Sequence, residues 1–244
     1  NSMMNPRFFC PQPLAPRSLA GLPAAAAHHA VRVLRLGVGD AVTLFNGEGG
    51  EYPGRLVEAG RIVRVELDEW LPVERESPLD IALAQALPSG DRMDFVVQKA
   101  VELGVARIQP LIASRSVVKL AGERAARRVE HWRQVAISAC EQCGRNRLPV
   151  IAPILDLRQW LGQLAQDNGV CRLLPSPQGG RRPRELAGKR FLLLVGPEGG
   201  LNAEEVSAAR LTGFADLSLG PRILRTETAG PAALAALGAL LGDL

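Results

Sequence analysis

The sequence predicts an α/β domain built on a parallel sheet and preceded by a small β-rich domain. Three observations carry this. Residues 31–71 alternate short apolar runs with Gly, Asn and Pro turns, the pattern of a β domain. From Leu79 onward, apolar runs alternate with segments of helical periodicity. Two late apolar runs end in glycine-rich turns, as buried parallel strands do at the edge of a sheet.

Taken in order, His28 and His29 open a helix, where a surface or capping role outranks catalysis. Ala41-Val-Thr-Leu-Phe45 and Arg61-Ile-Val-Arg-Val-Glu-Leu67 read as strands, and Gly47-Glu-Gly-Gly50 as a hairpin turn. The proline-flanked Leu71–Pro78 reads as a linker, which divides the chain into domains 3–73 and 74–244. Leu79–Leu87 is a strand, and Met93, Val96, Val97, Ala100 and Val101 mark one face of a helix that Gly104 closes. Val105–Ile112, Val170–Leu174, Phe191–Val195 and Asp216–Leu219 supply further strands, with a long helix over Ala121–Gln142 between them. Asn202-Ala-Glu-Glu205 has the form of a capping box, so a helix starts there and runs until Gly213 stops it.

Composition bounds the function. With 244 residues and 47% hydrophobic content the chain can bury a substantial core. No apolar run approaches the roughly 20 residues that span a bilayer, and the start lacks the apolar stretch of a secretory leader. A soluble, cytoplasmic protein with no membrane partner is expected. Asn1-Ser2 ahead of Met3 reads as an appended remnant. The four cysteines are expected to be reduced thiols; Cys140-x-x-Cys143 has no second pair to complete a zinc site, and no metal is expected. The whole net charge of +4 lies in residues 74–244, concentrated over residues 115–147 and in Arg181-Arg-Pro-Arg184. Such clusters suit a phosphate backbone. Arg124, Arg127 and Arg128 either face one or form a solvated helix face.

The chemistry centres on the two turns. Phe191-Leu-Leu-Leu-Val-Gly-Pro-Glu-Gly-Gly200 and Leu217-Ser-Leu-Gly-Pro-Arg-Ile-Leu-Arg-Thr-Glu-Thr-Ala229 imply a ligand held by backbone at one shared site. Glu198 within the first turn, and two carboxylates in the helical turn after it, would repel a polyphosphate, so a neutral or cationic ligand fits better. Neither a phosphate-binding Gly-x-x-x-x-Gly-Lys-Ser/Thr nor a helix-opening Gly-x-Gly-x-x-Gly is present.

These paired loops resemble those of the SPOUT methyltransferases, and the match is to the RsmE family, which methylates N3 of a uridine in small-subunit (16S) ribosomal RNA. Arg7-Phe-Phe, His29 through Asp40, Phe45-Asn-Gly-Glu-Gly-Gly-Glu51, Gln98-Lys-Ala-Val-Glu-Leu-Gly104, Ser114-Arg-Ser-Val-Val-Lys119 and Glu141-Gln-Cys-Gly-Arg145 agree with it as well. The likeness covers nearly the whole chain; Cys143 stands where most members carry Ser. It implies a PUA-like β-barrel for RNA recognition, then a SPOUT-type α/β domain with a C-terminal trefoil knot that binds S-adenosylmethionine and forms a homodimer. It further implies cofactor contacts at Leu174, Pro175, Gly196, Glu198, Gly199, Gly200, Leu219, Gly220, Ile223, Leu224, Thr228 and Ala229.

The N3–H of uracil is a weak acid, so such an enzyme must help remove that proton while placing the methyl group in line. Arg145, Arg225 or Arg7 could stabilise the anionic ring, and Glu141 or Glu227 could accept the proton. Arg225 could equally pair with Glu198 or Glu227, and Arg7 could anchor an N-terminal strand. Arg124, Arg127, Arg128 and Arg222 are candidate contacts to ribosomal RNA, free or within an assembled 30S subunit. A ribose 2′-O-methyltransferase of the same fold, or a non-catalytic RNA-binding assembly factor, are the alternatives; intact glycines in both loops argue against the second.

Overall fold

A computed structural model describes residues 4–244, so Asn1-Ser2, expected to be an appended remnant, lies outside the described residues. The chain divides into two units. One comprises the residues up to Glu76 together with Ile137–Leu148; the other comprises Ser77–Ala136 and Pro149–Leu244.

The first unit holds a five-stranded sheet of β1 (Arg7–Phe9), β2 (Leu19–Gly21), β3 (Ala41–Phe45), β4 (Tyr52–Ala59) and β5 (Val63–Leu67), in the order β1-β3-β4-β5-β2. β1 runs parallel to β3, and the remaining pairs are antiparallel. In β5 the side chains alternate, with Val63, Val65 and Leu67 buried and Arg64 and Glu66 exposed. The buried set joins Phe8, Val42, Leu44 and Leu56 in one core. Gly47–Gly50 lies in the β3–β4 connection, and a side chain at Gly50, whose φ is 68°, would overlap the Trp70 indole. Helix α1 (Ala24–His28) begins ahead of the two histidines rather than at them, because the alanine run after Pro23 favours helix. It continues as a wider π turn over His29–Val33.

The second unit is a seven-stranded, all-parallel sheet: β6 (Asp80–Ala86), β7 (Arg107–Ile112), β8 (Val150–Ile151), β9 (Leu155–Asp156), β10 (Cys171–Pro175), β11 (Arg190–Val195) and β12 (Ala215–Leu217). The order is β12-β10-β11-β6-β7-β8, with β9 beside β7. Helix α2 (Arg92–Glu102) buries Met93, Val96, Val97, Ala100 and Val101, the face its sequence marks, and Gly104 follows it with φ 88°. Helix α3 spans Gly122–Cys143, its last residues belonging to the first unit. Helices α4 (Leu157–Gln163) and α5 (Ala203–Leu211) supply Leu157, Trp160, Leu161 and Ala209 to a core with Ala84, Leu111, Leu174 and Leu194 of the sheet. The capping box of α5 is formed: Asn202 Oδ1 accepts from the Glu205 N–H at 2.8 Å and Glu205 Oε1 from the Asn202 N–H at 2.9 Å. The other Glu205 oxygen accepts from the Ser114 N–H at 3.0 Å, which joins α5 to the segment after β7. Helix α6 (Thr226–Leu241) buries Thr226, Ala229, Gly230, Ala233, Leu234, Leu237 and Gly238 along one stripe. A Cβ on Gly230 would stand 3.0 Å from Leu83 Cδ2, so glycine lets α6 lie close on β6.

Candidate functional site

Because the sheet is parallel, the carboxyl ends of β10, β11 and β12 lie together, where ligand crevices form in open α/β folds. The segments leaving them, Ser176–Gln178, Gly196–Gly200 and Leu219–Arg225, wall a cleft of about 700 Å³. Tight turns set their paths. Gly200 closes a turn on Pro197 O at 2.9 Å with φ 74°, and Gly220 turns at φ 100°. β12 is held at its exit by Ser176 N–H to Leu217 O at 2.9 Å and Ser218 N–H to Arg181 O at 2.8 Å.

Of the residues singled out as cofactor contacts, Leu174, Pro175, Gly196, Glu198, Gly199, Gly200, Leu219, Gly220, Ile223, Leu224 and Ala229 all line this cleft. Thr228 does not and is exposed. The reason is helical phase: α6 starts at Thr226, which shares a face with Ala229 one turn on, and Thr228 points elsewhere. Thr226 lines the cleft in its place, donating from Oγ1 to Gly196 O at 2.6 Å and accepting from Gln85 Nε2 at 2.9 Å.

Charge around the cleft is sorted into paired and unpaired groups. Glu198 accepts from the Ser89 N–H at 2.8 Å, from Ser89 Oγ at 3.0 Å and from Arg92 Nη1 at 2.9 Å. Burial opposes its charge, but these donors outweigh burial and hold the carboxyl below its ordinary range. Arg92, not Arg225, is the partner of both loop carboxylates, reaching Glu227 Oε1 with Nε at 3.8 Å. Arg115 donates to Gly199 O at 3.0 Å, and Arg210 pairs with Asp216 at 3.0 Å. Arg222 and Arg225 line the cleft with exposed side chains that have no ion-pair or hydrogen-bond partner among the described residues.

Arg7, Glu141 and Arg145 are not among the residues that line this cleft; they belong to the first unit. Arg7 Nη1 meets Glu51 Oε2 at 2.7 Å, while its Nη2 donates to Arg145 O and Asn146 Oδ1, each at 2.8 Å. Its guanidinium lies over the Phe45 ring at 4.5 Å. Arg145 grips Glu76 through Nε at 3.0 Å and Nη2 at 2.8 Å. Glu141 accepts from the Phe9 N–H at 3.0 Å, and burial pushes its carboxyl up. In this structure Arg7 and Arg145 are buried and Glu141 half-buried, each with partners inside the unit, as the strand-anchor alternative for Arg7 expects. On α3, Arg124 and Arg127 are exposed, whereas Arg128 is half-buried with its guanidinium 5.5 Å from the Trp132 ring centroid. None of the four cysteines forms a disulfide, and burial raises the Cys140 thiol to about 12.

Comparison with known proteins agrees with this architecture. Residues 75–238 match an RNA methyltransferase domain model and residues 22–66 an RNA methyltransferase PUA domain model. The ribosomal RNA small subunit methyltransferase E of Bacillus subtilis is 35% identical over 223 residues, covering 86% of each chain. The chain belongs to that family. The family's enzyme from Neisseria gonorrhoeae, solved bound to S-adenosyl methionine, is 39% identical with a TM-score of 0.90, covering 98% of this chain and 99% of its own. A Legionella pneumophila protein solved with the cofactor SAM is 40% identical with a TM-score of 0.93, covering 99% and 100%. The fold is thus the SPOUT-type α/β domain with a PUA-like β domain ahead of it.

Three residues of the cleft region escape a reading of the loops alone: Gln85, Arg92 and Thr226. Gln85 had a signal, being the one uncharged polar residue in the otherwise apolar run Ile81–Leu87. Arg92 had none, since it opens a helix more than a hundred residues before its partners.

Proposed function

We propose that the chain transfers a methyl group from S-adenosylmethionine to N3 of a uridine in small-subunit ribosomal RNA, working as a cytoplasmic homodimer. The observation that carries this reading is the backbone-walled cleft, with carboxylates inside it and two unpartnered arginines along its edge. The residues present fit the cofactor. The volume of about 700 Å³ suits a nucleoside-sized ligand. Leu174, Leu219 and Leu224 offer apolar surface to an adenine, while Glu198 and Glu227 place carboxylates in the lining that can face the sulfonium and ammonium charges of the ligand. When bound, the cofactor supplies an electrophilic methyl group.

The chain's own residues must then place and activate the base. N3 is buried in a base pair, so the uridine has to be unpaired or turned out of its stack to reach the cleft. Loss of the N3 proton spreads charge onto the flanking carbonyl oxygens. Arg225, with no internal partner, is the cation proposed to stabilise that charge, and Glu227 is the cleft-lining carboxylate proposed to take the proton. Arg222, Arg124, Arg127 and Arg128 are proposed to hold phosphates. Among the described residues no helix is long and apolar enough to cross a membrane.

The deciding experiment is methyl transfer to ribosomal RNA, free and in assembled 30S subunits, with nucleoside mass spectrometry of the product. N3-methyluridine supports the reading; a 2′-O-methylated nucleoside replaces it with ribose methylation, and no transfer to either substrate overturns it. Sedimentation tests the dimer, which a fully active monomer would refute.

Two outcomes are expected at the same bench. Gly220→Val forces a β-branched residue to φ 100°, although the protein atom nearest a Cβ there, Arg222 Nη2, is 3.9 Å away. The loop backbone must move while the fold is spared, so calorimetry should show cofactor affinity falling at least about tenfold, the equivalent of ~1–2 kcal/mol of strain. Normal binding by the variant would place the cofactor elsewhere. Arg124→Ala and Arg127→Ala should each lower the salt dependence of RNA binding by about 0.7 of a log–log slope unit. Arg128→Ala should do less, since its guanidinium already packs on Trp132. Slopes identical to wild type would make this helix face merely solvated.

A further inference from the structure

We infer that Thr226 is a positioning residue that sets the spacing of the two cofactor loops, with Gln85 fixing its hydroxyl. The inference rests on the cleft being the cofactor site. Thr226 opens α6, directly after the Leu219–Arg225 segment, while Gly196 opens the other loop directly after β11. The hydroxyl has one proton, and it is committed to Gly196 O at 2.6 Å. Its lone pair takes the Gln85 amide N–H at 2.9 Å, so a hydroxyl turned away from Gly196 leaves that part-buried carbonyl without this donor. One side chain therefore ties the end of the second loop to the start of the first.

Gln85 supports a positional role rather than a purely stabilising one. It is 0% exposed on a central strand, and its register partner on β11 is Val195, the residue before Gly196. An apolar side chain would fill such a position without burying an amide. Besides Thr226, Nε2 reaches only the carbonyl of its own neighbour, Ala86 O, at 2.9 Å, and Oε1 has no hydrogen-bond partner among the described residues. A core that carries an orphaned acceptor in order to present one N–H to Thr226 is accepting a local cost for geometry at the site. The parallel tie through Arg92 joins the same segments, Glu198 at 2.9 Å and Glu227 at 3.8 Å, but its side chain is 39% exposed and open to screening. Thr226, at 7% exposure, is the more buried of the two ties.

The prediction separates loop spacing from general stability. Thr226→Val keeps the shape and removes the hydroxyl, so the loops lose their common anchor. Calorimetry should show S-adenosylmethionine binding weakened by about 10- to 100-fold, because a part-buried carbonyl loses its donor and a buried amide N–H its acceptor. The KM for cofactor should rise with it, while kcat at saturation and the KM for RNA stay within about twofold of wild type. Thr226→Ser keeps the hydroxyl and should restore affinity to within about threefold. Gln85→Met, which removes the N–H that fixes the Thr226 hydroxyl, should weaken cofactor binding severalfold and leave RNA affinity unchanged. Should Thr226→Val fail to fold by circular dichroism, Gln85→Met decides alone. Wild type that gives no heat with the cofactor overturns the cofactor reading and this inference together. Wild type that binds, with Thr226→Val or a sole folded Gln85→Met within twofold of it, overturns the inference alone; so does a loss that Thr226→Ser fails to rescue.

Discussion

Replacing Glu51 by Ala should destabilise the first unit by about 3–5 kcal/mol, the cost of leaving a buried cation without its counter-charge. One oxygen, Glu51 Oε2, receives Arg7 Nη1 at 2.7 Å, Asn146 Nδ2 at 3.1 Å and Arg75 Nη1 at 3.3 Å. The Arg7 side chain is 3% exposed, and its Nε has no hydrogen-bond partner among the described residues. With Glu51 gone, Arg7 retains the Arg145 carbonyl, the Asn146 amide oxygen and the Phe45 ring face, none of which carries a net charge. Burial already lowers the Arg7 pKa against the attraction of Glu51, yet a guanidinium remains protonated at any ordinary pH. The charge cannot be shed, so the unit must open or bring in water. Hydrogen exchange read at the β1 and β3 amides, combined with urea unfolding, measures the loss for this unit apart from the other. A companion double variant, Arg7→Met with Glu51→Leu, should recover most of it, since removing both charges removes the need for either. A Glu51→Ala protein within about 1 kcal/mol of wild type would mean that Arg7 is solvated, and would favour a catalytic role for it over an anchoring one.

The same cluster shows where sequence reading runs out. Arg7, Glu51 and Arg145 each stand in segments that the family resemblance singles out, but nothing in a linear sequence says whether an arginine faces solvent or a buried glutamate. The partners lie 44 and 139 residues apart, and only the fold brings them together. Local rules fared better wherever the physics is local. The buried face of α2 follows from 3.6-residue periodicity, and the Asn202–Glu205 capping box follows from side chains three residues apart satisfying the first N–H groups of a helix. The cleft loops were legible because an apolar strand ending in Gly has few places to go in a parallel sheet. Thr226 and Thr228 mark the boundary of that success. Choosing between them requires the first residue of α6 to be known to within one position, and helix starts without a side-chain cap carry no such signal.

Arg225→Ala should lower kcat by about 10²–10³, the usual effect of removing a donor aimed at developing charge, and leave cofactor affinity unchanged. The side chain lines the cleft, is exposed, and makes no ion pair or hydrogen bond among the described residues, so its removal orphans nothing inside the protein. What Arg225 does for α6 is done by its backbone: its carbonyl accepts from the Thr228 and Ala229 N–H groups at 2.9 and 3.1 Å, and its side chain makes no cap bond. Alanine keeps that arrangement, so a loss of turnover cannot be attributed to the helix. The neighbouring Arg222→Ala is the contrast. A residue that holds phosphate should weaken RNA binding and lower its salt slope, then regain wild-type turnover once RNA is saturating. Arg225→Ala should fail to regain it, because a group that acts on the anionic ring matters only as the N3 proton leaves. Without that cation the ring ionises only as the pH rises, so the single-turnover rate of Arg225→Ala should climb more steeply with pH than that of wild type. Lysine at this position should recover part of the rate through charge alone while losing the planar reach of the guanidinium. Single-turnover methylation with saturating RNA and cofactor reads all of these together. Equal recovery by both alanine variants would assign Arg225 to phosphate and leave the ring charge to another group.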